Sequence, residues 1–421
     1  IGMALSMPWT ATCAPAQELL HGSSIFGAIE GAMLQIKTVA QDESSKQSYG
    51  SGYVVAAGGM VITNYHVVAE AIQQPRHYRI VAQYQNQSLP AAIAAVDVVH
   101  DLALLRIDHP FPTAVRFAKE MPAQGEEIFA LGLPEDLNFS LVKGTYNGIL
   151  RRGPYEVIHL SAPINSGMSG GPTVNAKGEV IGTNVSRYVH AQNISFSVPQ
   201  QFARSLLDTP PVASALHRQI EEQVRLAQDV LTQDLLQRNP VLRADSHWQT
   251  PAMPDYFSCW HEQFVKGQKR IDWFAEKCTL QDRAYISNRE YFGNYELEVI
   301  FLRNRGLPRR RFYTAHYSAC GHITGENENR SEYNRLYTNY HCAEDRIANS
   351  RGNSFQISVC AHQSLTYPSI YDAQVSYTTL SGAPEEIVVK GTFSGFTMEN
   401  IKRIVHHMLE ATAPENAHAA D

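Results

Sequence analysis

Gly50-Ser-Gly-Tyr-Val-Val-Ala-Ala-Gly-Gly-Met-Val-Ile-Thr-Asn-Tyr-His66-Val-Val reads as two short strands, 52–57 and 60–63, broken by a glycine pair, with a histidine at the corner after the second. The same texture continues on either side. Apolar runs at 33–39, 78–83, 91–99, 102–107, 127–133, 155–160, 179–185 and 194–198 are separated by Gly, Asn and Pro, with almost no helical period between them. Short strands at this spacing over 31–199 predict an all-β region, a sandwich or a pair of barrels.

Three segments of that region carry reactive side chains. His66 stands at the corner just quoted, Asp101 in His100-Asp101-Leu-Ala-Leu-Leu-Arg-Ile immediately precedes a buried run, and Ser169 lies in the turn Asn165-Ser-Gly-Met-Ser169-Gly-Gly-Pro. A hydroxyl is a weak nucleophile until a positioned imidazole takes its proton. The imidazole in turn needs a carboxylate to fix its tautomer and stabilise its charged form. Gly167, Gly170 and Gly171 lack side chains, so the turn can expose the serine and aim the N–H groups of Gly167 and Ser169 at one point, an oxyanion hole. Each residue alone has a plainer reading: a core histidine, a capping aspartate, a loop serine. The order His, Asp, Ser, with gaps of 35 and 68 residues inside one β-rich segment, favours catalysis.

These stretches resemble the chymotrypsin-like serine peptidases, in particular the bacterial trypsin-like branch that includes the HtrA (Deg) proteases. That branch carries a similar glycine-rich strand, a Thr-Asn-x-His-Val-Val stretch, an Asp-Leu-Ala-Leu-Leu strand and an Ile-Asn-x-Gly-x-Ser-Gly-Gly turn. The likeness covers about residues 25–208. It implies an all-β double β-barrel with the triad in the cleft between two perpendicular six-stranded barrels, and no cofactor and no metal. His66 and Asp101 would come from the first barrel and Ser169 from the second. Met168 precedes the nucleophile where HtrA proteases usually have Asn, and no Gly-Leu-Gly-type carboxylate-binding loop follows residue 240, so PDZ regulation is not implied.

Trypsin-type enzymes place an Asp six residues before the nucleophile to meet a basic P1 side chain. Here Pro163 holds that place and Ile164 follows, so a small or aliphatic P1 residue is expected. The expected substrate-binding residues are Pro163, Ile164, Asn165, Ser195, Phe196 and Ser197, with 193–197, by analogy with the family the chain resembles, as the edge that pairs with an extended substrate. A second reading gives His190 a P1 carboxylate to recognise.

Outside this region the text changes. Residues 1–16 carry no charge and end Ala14-Pro15-Ala16, the pattern of a truncated export signal or of an ordinary buried N-terminal segment. After Pro210-Pro211, Val212, Leu216, Ile220 and Val224 fall every four residues, followed by Val230, Leu231, Leu235 and Leu236. They predict an amphipathic helix ending at Asn239-Pro240, about 40 Å long, packed on its own domains or on a second copy. Beyond 245 the composition shifts to Tyr, Phe, Trp, Cys and His. There 295–302, 311–320, 354–360, 373–379 and 386–393 read as strands, and 260–278 and 398–411 as helices. The organisation expected is an export signal over 1–16, a protease domain over 17–208, a helical linker over 209–240 and an α+β accessory domain over 241–421.

Cys259, Cys278, Cys320, Cys342 and Cys360 all fall in that last part. In an exported protein two disulfides with one thiol left over is the simplest count; a Cys/His site using His261, His322, His341 or His362, and free buried thiols, are the alternatives. Arg303, Arg305, Arg309, Arg310 and Arg311 could grip an anionic partner or simply face water, and the aromatics could form a core or a recognition face for peptide or glycan.

Composition sets the outer bounds. With 421 residues, 44% of them hydrophobic and 18% charged, the chain is globular and long enough for two or three domains. A net charge of -6 gives no global attraction for nucleic acid, and no apolar run approaches the length of a transmembrane segment. The expectation is an exported serine endopeptidase, periplasmic or secreted, that hydrolyses a polypeptide substrate through an acyl-enzyme. Its C-terminal domain would dock a peptide, protein or cell-envelope partner. The alternative is a protease-shaped binding or chaperone-like protein without turnover.

Overall fold

Leu102-Ala103-Leu104-Leu105 is apolar without alternation because its strand faces two cores: Leu102 and Leu104 point to one, Ala103, Leu105 and Ile107 to the other. That strand, β6 (Leu102–Ile107), closes a six-stranded antiparallel barrel with β1 (Met33–Ala40), β2 (Lys46–Ala56), β3 (Met60–Asn64), β4 (Tyr78–Tyr84) and β5 (Gln87–Asp97), in the order β1-β2-β3-β6-β5-β4. A second closed barrel runs β10-β11-β12-β9-β8-β7, from β7 (Glu127–Gly132), β8 (Ser140–Arg151), β9 (Glu156–Leu160), β10 (Pro172–Asn175), β11 (Val180–Val185) and β12 (Ser195–Pro199). The computed structural model describes residues 22–42, 45–56, 58–134, 139–185, 194–209, 216–242, 246–264, 270–320, 336–379 and 384–415. Residues 1–16, read as an export signal, and His190 lie outside them.

The barrels share a core. Tyr53, Ile62, Leu102 and Leu104 of the first meet Phe129, Leu131, Val174 and Val198 of the second, with Ile25 and Ile29 of helix α1 (Gly22–Ile29) packed alongside. Tyr53 Oη and Thr183 Oγ1 share a buried hydrogen bond of 2.8 Å across this seam. Sequence patterning passes over the half-exposed, polar β8 and the short β10. It also passes over helix α2 (Tyr65–Gln73), which follows β3 directly and buries Tyr65, Val67, Val68, Ala69 and Ile72.

Helix α3 (Gln200–Leu207) closes the barrel region, and helix α4 (Leu216–Leu236) then crosses to the rest of the chain. Its 21 residues divide by partner: Ile220 and Val224 join the core of the first barrel, Leu231 and Leu235 the next core. A small sheet, β13 (Pro240–Leu242), β14 (Trp248–Pro251) and β24 (Ala413–Pro414), ties the chain end to the stretch after α4.

The last large unit is a seven-stranded antiparallel sheet, β15-β16-β19-β23-β22-β21-β20, from β15 (Phe257–Phe264), β16 (Ile271–Leu280), β19 (Asn294–Asn304), β20 (His341–Ala348), β21 (Ser354–Gln363), β22 (Ile370–Thr379) and β23 (Glu385–Thr397). Val299, Phe301, Ile387 and Val389 face α4 and helix α6 (Met398–Ala411); Ile300, Leu302 and Val388 face helix α5 (Arg309–Cys320) with Phe312. A two-stranded hairpin, β17 (Ala284–Ser287) and β18 (Glu290–Phe292), forms a separate ladder that packs against β23.

Two expectations are corrected here. The stretch 260–278 is not a helix: its aromatics at near-helical spacing are strand formers, paired from Phe257↔Leu280 to Phe264↔Trp273. The stretch 311–320 is not a strand: Phe312 and His316, four apart, share the buried side of α5. The two disulfides are Cys259–Cys278 and Cys342–Cys360, each joining directly opposed residues of an edge strand and its neighbour. Of the five arginines read as a basic grip, Arg303 pairs with Glu385 and Arg305 with Asp272.

Candidate active site

β3 delivers Asn64, and the chain turns there into α2, which places His66 in the first helical turn. Asp101 approaches that turn from the start of β6. Its Oδ1 accepts the His66 backbone N–H at 2.9 Å and its Oδ2 lies 2.7 Å from His66 Nδ1. Its carbonyl accepts from Tyr65 N at 3.0 Å and Asn64 Nδ2 at 2.8 Å. These contacts hold Asp101 at φ +57°, a left-handed conformation that Asp tolerates better than most residues. A carboxylate can only accept, so the pairing puts the imidazole proton on Nδ1 and leaves Nε2 free to take a proton. Asp101 is buried, whereas His66 keeps 25% of its side chain accessible.

Ser169 sits in a turn docked on the same strands. Ser51 N donates to Ser169 O at 2.7 Å, and a Cβ on Gly170 would fall 2.5 Å from Thr63 Oγ1 and 2.9 Å from Asn64 N. Gly170 at φ +83° is therefore required twice, for its conformation and for this approach to the residues leading into His66. Inside the turn, Met168 N donates to Asn165 O and Gly171 N to Met168 O, while Gly170 N donates to Asn184 O of β11. Ser51 Oγ accepts from Leu133 N at 2.8 Å and donates to Gly167 O at 2.7 Å. Asn184 Nδ2 donates to Leu131 O at 2.8 Å. The buried Met168 packs so closely against β7 that a Cβ on Gly132 would lie 2.7 Å from its Cα.

Ser51, Asn64 and Asn184 brace the site and escape sequence reasoning. Asn64 and Ser51 left a signal, since they stand in the Thr-Asn-x-His-Val-Val stretch and the glycine-rich strand, whereas Asn184 left none.

The expected substrate-binding residues divide. Ser195 Oγ donates to Ala162 O at 2.6 Å and accepts from Ile164 N at 3.3 Å, which joins 162–164 to β12. Ile164 packs partly on the second-barrel core, and Pro163 and Asn165 are exposed. Phe196 lies under the Arg152 guanidinium, 4.7 Å from its ring centre. Phe196 and Ser197 line a cavity of about 100 Å³ between the barrels, α4 and the C-terminal part, which Pro163, Ile164 and Asn165 do not border. The open edge expected at 193–197 is corrected at Phe196 and Ser197; Asn193 lies outside the described residues. β12 is paired on both sides, Phe196 with His159 and with Val185, Ser197 with Ile158 and with Asn184, so its backbone there has no ladder to offer.

Among the described residues one His/Cys/Asp/Glu group is close enough to hold a metal, Cys259, Glu276 and Cys278, and its two sulfurs are joined to each other. Of the other histidines weighed as ligands, His261 and His341 are exposed, and His362 lies between the rings of Tyr337 and Tyr340. His322 lies outside the described residues. Among the described residues no helix is long and apolar enough to cross a membrane.

Residues 50–182 match the family described as "Trypsin-like peptidase domain". The chain is 36% identical over 170 residues to the mitochondrial serine protease HTRA2 of Bos taurus, a match covering 38% of this chain and 36% of that protein. It is 32% identical over 161 residues to a probable periplasmic serine endoprotease, DegP-like, of Pseudomonas fluorescens, covering 36% and 33%. The chain thus spans only 33% to 36% of the length of these relatives. Of solved structures, a serine endoprotease from Yersinia pestis overlays with a TM-score of 0.39 and 24% identity, covering 44% of this chain and 65% of that one. Residues 50–182 of this chain therefore make a trypsin-like peptidase domain, similar in sequence to the HtrA and DegP-like serine proteases.

Proposed function

We propose that the chain is a serine endopeptidase in which Ser169 attacks, His66 carries the proton and Asp101 orients His66. The observation that carries this reading is the double clasp of Asp101 on His66, backbone and ring at 2.9 and 2.7 Å, beside a glycine turn that bears the serine. Ser169 Oγ adds to the scissile carbonyl carbon as its proton passes to His66 Nε2. The C–N bond then breaks and the amine leaves with that proton. Water repeats the sequence on the acyl-enzyme and regenerates Ser169. The N–H groups of Gly167 and Ser169 are the proposed oxyanion hole.

The uncharged Pro163 and the apolar Ile164 support a small or aliphatic P1 residue. Relatives named as periplasmic, together with the two disulfides, support export to an oxidising compartment. The unit over 17–208 would act on unfolded polypeptide, with the part beyond 240 as an accessory domain.

The test is labelling of the full chain with a fluorophosphonate, mapped by mass spectrometry against Ser169→Ala, followed by cleavage-site mapping on a denatured protein. The expected result is one label, at Ser169, and cuts after small or aliphatic residues. An unlabelled Ser169, with peptides or denatured protein present as activators, would favour the silent, binding scaffold instead.

A further inference from the structure

The described part of the His66 surroundings includes a residue from far along the chain. Tyr285 of β17 lies edge-on to the imidazole, with ring centres 6.1 Å apart and planes 79° from each other. It packs on the first-barrel core and is itself held by Tyr291 of β18, edge-on at 5.4 Å, whose ring lies under the Arg283 guanidinium at 3.8 Å.

The hairpin that carries this stack is fastened to α2, the helix whose first turn holds His66. Tyr65 Oη donates to Ile286 O at 3.0 Å, and Asn288 N donates to Glu70 Oε1 at 3.1 Å. Burial holds the Tyr65 hydroxyl well above the ordinary phenol range, so it stays a neutral donor. Further along the same helix, Gln73 Nε2 donates to Tyr367 Oη at 2.7 Å. Ile286, Phe292, Tyr367 and Ile370 then enter the same apolar cluster as Val67, Val68 and Ile72.

An imidazole shuttling a proton must keep its ring plane while its charge changes. Asp101 fixes one edge of the ring, and a rigid aromatic against its flank fixes the tilt that Asp101 alone leaves open. We infer that Tyr285 is a positioning residue for His66, so that the C-terminal part of the chain contributes a wall of the catalytic site. The inference rests on the peptidase reading above.

The experiment uses the full chain with Tyr285→Ala and Tyr285→Phe. It reads kcat and KM on a peptide substrate, the rate of fluorophosphonate labelling, and the Cε1–H resonance of His66 in ¹³C-histidine protein, assigned by His66→Ala. An edge-on ring contact of this kind carries about two- to tenfold in an equilibrium or a rate. The expected result is a labelling rate and kcat about tenfold lower in Tyr285→Ala, with KM moved less than about twofold, and rates restored in Tyr285→Phe. The His66 resonance moves in the Ala variant alone.

An unchanged rate and an unmoved resonance in Tyr285→Ala overturn the inference, as does a loss confined to KM or an equal loss in Tyr285→Phe. If the wild-type chain takes no label at Ser169, the peptidase reading fails. The inference rests on that reading and falls with it.

Discussion

Asp101 commits three oxygens to one stretch of chain: both carboxylate oxygens to His66 and the carbonyl to Asn64 and Tyr65. Asparagine fits the same space and keeps one acceptor, but its amide NH₂ beside the ring favours the tautomer with the proton on the wrong nitrogen. Asp101→Asn is therefore expected to fold normally and to lose about 10⁴-fold in kcat, the size seen when a triad carboxylate becomes an amide. Near-normal turnover with unchanged circular dichroism removes Asp101 from the mechanism. His66, Asp101 and Ser169, the proposed triad, could be picked out in sequence because the chemistry proposed for them needs those residue types beside turn and strand signals. The roles of Ser51, Asn184 and Tyr285 could not. They meet a backbone group or a ring far away, as Ser51 meets Gly167 across 116 positions, and a contact of that range leaves no periodicity.

At the scale of elements, the seven-stranded sheet ends, among the described residues, on strands paired on one side, and each of its two disulfides joins such an edge strand to the strand inside it. β15 and β20 are largely exposed, with Trp260 at 43%, so packing holds them weakly and the cross-links replace it. The bridges close 19 and 18 positions of chain. Removing Cys259–Cys278 as the double serine variant is expected to cost about 3 kcal/mol by loop entropy. Urea unfolding in the absence of reductant measures it, and an unchanged midpoint shows that the bridge adds nothing. The sequence supplied the number of bridges but not the pairing, since five cysteines leave many connectivities and only strand register sets two of them opposite. Register also explains the misread elements. β15 and β16 carry aromatics whose spacing imitates a helix, and only the partner strand β19 reveals the period of two.

For the whole molecule, the helix expected as a linker is a shared wall. Gln223 Nε2 donates to Val96 O of the first barrel at 2.7 Å, and its Oε1 accepts from Val98 N at 3.0 Å; further along the helix, Gln228 Oε1 accepts from Thr397 N at 2.8 Å. With Ile220 and Val224 in one core and Leu231 and Leu235 in the other, cutting the chain on either side of α4 would strip apolar surface from both halves. Where the hairpin meets the large sheet, this joint holds one costly group. Glu290 of β18 is 5% exposed, and its carboxyl is pushed up to about 7 by burial and by the Asp372 carboxylate, against a hydrogen bond from Tyr337 that works the other way. A carboxyl whose folded value lies above its unfolded value of 4.5 binds its proton more tightly when folded. Its share of stability is thus complete below the unfolded value and is lost as pH rises through about 7. Over that window the loss amounts to at most about 3 kcal/mol. Glu290→Gln keeps the shape of the neutral acid and cannot ionise. Thermal melts of the two proteins are therefore expected to coincide near pH 4 and to separate in favour of the variant by pH 8, while a difference independent of pH would show that Glu290 does not titrate at this joint.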